Sequence, residues 1–149
     1  MVYVDKGFSE RFRPVPDVCF YVKTTANHYL HQADLKKRQK VETPKVKHYL
    51  YSLQHIAAAK WVLQHYAPVP FSFRMLMEYW PESIQEYAEI LLKQKVTLPD
   101  VPFTTCIPEP ENSLIQERDC ISNEIESLPI EIKIDWDLLN RFFLSELQQ

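Results

Sequence analysis

The stretch Val46-Lys47-His48-Tyr49-Leu50-Tyr51-Ser52-Leu53-Gln54-His55-Ile56-Ala57-Ala58-Ala59-Lys60-Trp61 carries the clearest structural signal in the chain. Val46, Leu50, Leu53, Ala57 and Trp61 recur at three and four residues and form one stripe, with Tyr49, Ile56 and Leu63 beside it. That period belongs to a helix and excludes a strand. The alanine run raises helix propensity and lets a neighbouring helix approach closely. Thr43 before Pro44 reads as an N-cap with a first-turn proline. Ala67-Pro68-Val69-Pro70 stops the helix, so it runs over about 44–66.

On the N-terminal side, Pro14 and Pro16 break any helix and Asp17 can cap the next one. A helix is expected over about 18–37, with Val18, Tyr21, Val22, Ala26, Tyr29, Leu30 and Ala33 on its apolar side. Downstream, a third helix is expected over about 71–79 (Phe71, Phe73, Leu76, Met77). A fourth, over 81–95, is opened by Pro81 and carries Ile84, Tyr87, Ala88, Leu91 and Leu92. Residues 96–111 hold Pro99, Pro102, Pro108 and Pro110 and read as an extended connector. An acidic helix is expected over 112–127. Ile130, Ile132 and Ile134 alternate with charged residues, which allows a short strand near 130–134. Asp135 caps a last helix carrying Trp136, Leu139, Phe142, Phe143 and Leu147. The expectation is an all-α bundle of five or six helices. It is organised as a helical domain over 1–95, a connector over 96–111 and an acidic segment over 112–149 packing on the same domain.

Composition narrows the function. The 149 residues are 46% apolar and 13% aromatic, enough for a core, and contain one glycine, Gly7. P-loops, dinucleotide fingerprints and nucleophile elbows need glycine where backbone meets a phosphate or turns sharply, so they are excluded. No apolar run reaches the roughly 18 residues of a membrane helix. With no signal-peptide pattern and three widely spaced cysteines (Cys19, Cys106, Cys120), the expectation is a cytoplasmic protein with free thiols. The net charge of −3 is uneven. Residues 23–60 carry eight cations against Asp34 and Glu42, a balance of +6; residues 109–149 carry ten acids against three cations, a balance of −7. Either the basic part meets an anionic partner, or the two halves attract each other.

His28 and His31 share a helix face, but no carboxylate joins them at metal-ligand spacing. His48 and His55 could reach them only through the fold, so a histidine–carboxylate metal enzyme survives as a third reading. Glu82, Glu86 and Glu89 read as a solvated helix face. Lys47, Tyr51 and Gln54 are more informative. They fall at i, i+4 and i+7, away from the Val46–Leu50–Leu53 stripe. A lysine, a phenol and an amide together offer charge, a stacking surface and a hydrogen bond, which suits a nucleic-acid backbone or a nucleotide. The alternative is a polar outer face with Tyr51 half buried. Lys36, Lys37, Arg38 and Lys40 add nonspecific attraction for phosphates.

Lys47, Tyr49, Leu50, Tyr51, Leu53, Ala57, Ala58 and Trp61, then Pro68, Pro70, Phe73 and Leu76, resemble a known pattern. It is that of the C-terminal helical region of predicted nucleotidyltransferases of the DNA polymerase β superfamily, in the RNA-repair-associated branch. His28-Tyr29-Leu30, Leu91-Leu92, Lys95 and the opening Val2-Tyr3 with Phe8 fit the same region, so the likeness spans about 1–95. Where the family has Arg-Pro, this chain has Gln54-His55. The family's catalytic domain holds the triphosphate with a Gly-Ser turn and Mg²⁺ with paired acids. This chain has no Gly-Ser, and its one Asp-x-Asp, Asp135-Trp136-Asp137, sits at an expected helix start. The resemblance therefore implies an accessory domain without catalytic residues or cofactor of its own, in a fragment, a split product or a relative kept for binding. Mg²⁺ would come only with a catalytic domain, in cis or in trans. RNA or a nucleotide is the implied ligand. The rival expectation is a protein–protein module, either a homodimer or one half of a toxin–antitoxin-like pair.

Overall fold

The computed structural model describes residues 10, 20–33, 45–97, 108–130 and 136–147. Among the described residues its main helices are α1 (Val22–Gln32), α2 (Val46–His65), α3 (Phe73–Met77), α4 (Glu82–Thr97), α5 (Pro108–Ser127) and α6 (Trp136–Leu147). The protein is all-α, as the periodicity predicts. The short strand expected near 130–134 falls almost wholly on 131–135, outside the described residues. The chain divides into two compact units: residues 1–21 with 130–149, and Val22–Pro129.

The larger unit is built around α2, which packs against α1, α3, α4 and α5. Val46, Leu50, Leu53, Ile56, Ala57, Ala58, Ala59, Val62 and Leu63 are all buried. Three consecutive buried alanines turn through roughly 200° of the helix circumference, so α2 is enclosed there on several sides. The sequence stripe accounts for one of those sides. Trp61 is the exception to the stripe: it is only partly buried. The N-cap is Lys45, in extended conformation, rather than Thr43, which lies outside the described residues. The Lys45 backbone N–H donates to Nδ1 of His48 (3.1 Å), satisfying a group the helix leaves unpaired.

α1 begins at Val22, four residues later than expected. Phe20 and Tyr21 are non-helical; aromatic residues lose rotamer freedom in a helix and contribute little to starting one. α3 covers only Phe73–Met77, capped by the Ser72 hydroxyl, which accepts from the Met75 N–H. Phe71, expected on its apolar side, is fully exposed before the cap. In α4, Ile84, Tyr87, Ala88 and Leu91 are buried while Glu82, Glu86 and Glu89 face solvent. The Pro81 carbonyl accepts from Ile84 and Gln85 and starts the helix.

α5 begins at Pro108, inside the stretch expected as connector, because prolines in a first turn lack only N–H groups that have no helical partner. It buries Leu114, Ile121 and Ile125 and packs on α1, α2 and α4. Two cations meet it. Lys23 of α1 donates to the Leu128 carbonyl just beyond its C-terminus (2.6 Å), where a positive charge is favoured. Lys60 of α2 pairs with Glu117 at 2.6 Å. The basic and acidic parts of the chain thus meet at these two points. The buried Tyr87 hydroxyl of α4 donates to a Glu111 carboxylate oxygen at 3.3 Å.

In the smaller unit, α6 is amphipathic and buries none of its residues. Trp136, Phe143, Leu144 and Leu147 are exposed. Asp135, its expected cap, lies outside the described residues.

Candidate functional site

Lys47, Tyr51 and Gln54 lie on one face of α2, as their spacing requires. Tyr51 and Gln54 are exposed and Lys47 is partly buried. The structure adds a fourth member from another helix. Nζ of Lys95, near the end of α4, lies 5.4 Å from the centre of the Tyr51 ring, within reach of a cation–π contact. Spacing along α2 cannot reveal Lys95, because only the fold brings α4 there. Lys36, Lys37, Arg38 and Lys40 lie outside the described residues.

The same face continues along α2. Positions 58, 61 and 65 stand eleven, fourteen and eighteen residues after Lys47, so Ala58, Trp61 and His65 share it. Ala58 is 2% exposed, which divides the face into two patches. At the far end, the Trp61 and His65 rings stack at 3.7 Å and 16°, while Tyr79 leans over both at 6.1 and 5.8 Å. Nδ1 of His65 lies 3.1 Å from the Trp61 carbonyl. A carbonyl can only accept, so Nδ1 is the donor in this contact. Nε1 of Trp61 is buried without a hydrogen-bond partner. A buried polar group left unmade costs about 1–3 kcal/mol.

The next residues along the chain are also aromatic and exposed. Tyr66 caps α2 in the left-handed conformation (φ 50°), donating its N–H to the Val62 carbonyl at 3.0 Å. Glycine ordinarily takes that position, and a bulkier residue there costs about 1–2 kcal/mol. Tyr66, Phe71 and Tyr79 are all well exposed. The apolar periodicity places Trp61 and Phe71 among the core contacts and misses this cluster. The available signal was the i, i+4 pairing of Trp61 with His65.

A cavity of about 620 Å³ lies between α3 and α4, lined by Phe73, Met75, Met77, Ala88 and Leu92 with Arg74, Glu78, Gln85 and Glu89 among its polar residues.

No metal-ligand cluster forms around the histidines among the described residues. Among the described residues, no three His, Cys, Asp or Glu side chains are placed to hold an ion. His48 serves the start of its own helix. His55 lies beside Tyr29 (6.3 Å), which also contacts His28 (5.7 Å). Burial lowers the pKa of His55 below 6.5, and repulsion from His28 adds to this. The Tyr51 carbonyl pulls the other way, although Nδ1 of His55 does not meet hydrogen-bond geometry with it. No helix among the described residues is long and apolar enough to cross a membrane.

The fold and this helix face define the class: a small all-helical bundle whose central helix displays cations and aromatic rings. The chain belongs to the RNA repair pathway DNA polymerase beta family, RlaP, whose family model it matches over residues 1–145. Searches of curated proteins and of solved structures returned no match.

Proposed function

We propose that this helical chain is an accessory, substrate-binding part of a nucleotidyltransferase-like protein, inert alone, that holds RNA or a nucleotide at Lys47, Tyr51 and Gln54. The observation that carries the reading is the convergence of Lys95 on Tyr51. Two lysines from different helices flank one exposed phenol, pairing phosphate attraction with a stacking surface. Lys36, Lys37, Arg38 and Lys40 supply further nonspecific attraction. Phosphoryl transfer on two metals needs clustered carboxylates. Those, with their Mg²⁺, belong to a catalytic domain joined in cis or docked in trans. The free, exposed Cys120 fits a reducing, cytoplasmic setting.

The test is fluorescence anisotropy of a labelled single-stranded RNA across a salt series. Binding is expected to weaken with salt, and Lys47→Ala is expected to lower the log–log slope by about 0.7 on this single strand. A wild-type slope near zero overturns the proposal.

A second reading, a protein–protein module, is favoured by the apolar side chains that α6 leaves exposed. Concentration-dependent mass in sedimentation without RNA binding would select it.

A further inference from the structure

We infer that Trp61, His65 and Tyr79 form a separate stacking site for one unpaired nucleobase. The inference deepens the reading above by assigning the base, rather than the phosphates, to the opposite end of the same helix face. From Lys47 to His65 is eighteen residues, about 27 Å along α2. That span suits a short single strand of roughly four nucleotides.

Three observations carry the inference. First, indole and imidazole already form a parallel stack at 3.7 Å, and His65 is exposed, so a further flat ring extends it. Second, Tyr79 stands at 54–55° to both rings and walls one side, so the site is a corner rather than a flat patch. Third, the ring that would take the base is held in place. Nδ1 of His65 is engaged by the Trp61 carbonyl, which fixes the plane of the imidazole and so the face it offers to a stacked base. Nε1 of Trp61 is buried, so a ligand at this corner meets the ring system and not the indole N–H.

Charge separates the two patches. Lys60, the neighbour of Trp61 in sequence, is engaged with Glu117 and lies 4.6 Å over the Trp80 ring. Glu78 and Glu82, close to Tyr79 in sequence, are exposed and acidic. Against them stands one exposed cation, Arg74 of α3, so this end carries no excess of positive charge for a phosphate. A neutral base fits it, with the backbone held elsewhere.

Adenosine, which has no phosphate, tests the site alone on the full chain. In NMR titration, the Trp61 Nε1–H resonance is expected to shift on addition of millimolar adenosine, and His65→Ala is expected to abolish the shift. His65 is exposed, so the variant retains its fold, as its remaining spectrum will report. In parallel, wild type should prefer a single-stranded RNA to the same strand with abasic positions by about five- to hundredfold. His65→Ala and Tyr79→Ala should each reduce that preference and leave the salt slope unchanged.

No adenosine shift, with both variants binding RNA as wild type does, overturns the stacking site and leaves the Lys47 face standing. An adenosine shift without RNA binding keeps the stacking site and removes the RNA reading. A shift produced by a guanidinium compound and not by adenosine assigns the corner to a peptide cation and overturns the inference.

Discussion

Ala58→Leu tests whether the face that begins with Lys47, Tyr51 and Gln54 is really interrupted by packing. The spacing i, i+4, i+7, i+11 puts Ala58 in line with those three residues, and read alone it would place Ala58 on an open surface. The structure buries it instead, to 2% exposed, between the equally buried Ala57 and Ala59. Leucine adds three carbon atoms where interior packing leaves no room for them. Overpacking of this kind costs about 1–3 kcal/mol, whereas Ala→Leu on an exposed helix face stays within about 0.5 kcal/mol. For a chain of this size the difference corresponds to a melting temperature lower by about 2–12 °C. Thermal and urea unfolding tracked by circular dichroism would read it. Gln54→Leu, one step back on the same face but exposed, serves as the control and should be near neutral. A melting temperature for Ala58→Leu that matches this control would refute the enclosure of α2 and merge the two patches into one open surface.

Tyr87→Phe removes the hydroxyl that reaches Glu111 from a side chain 1% exposed, and should cost about 0.5–1.5 kcal/mol in urea unfolding. His55 makes stability depend on pH. Its pKa in the fold is below 6.5 because burial disfavours the imidazolium, so the neutral form is the one folding favours. As pH falls below about 6.5 the unfolded chain takes up a proton that the folded chain resists, and stability declines until the folded pKa is passed. His55→Gln should flatten that part of the pH profile of the urea midpoint; an unchanged profile would remove His55 as its source.

Periodicity made most of the helices legible because each buries an apolar stripe, as Ile84, Tyr87, Ala88 and Leu91 do in α4. It was less informative at helix ends, where the outcome depends on single contacts. The start of α2 at Lys45 rests on the His48 ring reaching back to a backbone N–H, a bond no propensity scale contains. Periodicity also misassigned Trp61, since a tryptophan in register with Leu53 and Ala57 looks like core. Its actual setting depends on Tyr79, which comes from the turn after α3, and such long-range neighbours leave no trace in spacing. Lys95 was missed as a partner of Tyr51 for the same reason. Lys47, Tyr51 and Gln54 could be found on one face because one helix alone determines it.

The contacts of α5 bear on how the basic region can act. An excess of cations over residues 23–60 admits two explanations, internal neutralisation or an external anion, and the structure shows the first at two residues. Lys23 is committed to the end of α5 and Lys60 to Glu117. Neither is available to a phosphate without giving up its contact. Lys47 and Lys95 are the cations at the Tyr51 patch, and each phosphate neutralised contributes about 0.9 to the salt slope for duplex and about 0.7 for a single strand. The patch alone therefore accounts for a slope of roughly 1.4 on single-stranded RNA. A steeper slope has to come from elsewhere, and Lys36, Lys37, Arg38 and Lys40 are the concentrated source in the sequence. Replacing those four with glutamine should bring the slope down toward the value of the patch. If the slope stays high, the anion is held by cations outside both groups, and the division of labour between a phosphate-attracting segment and a base-contacting helix face does not hold.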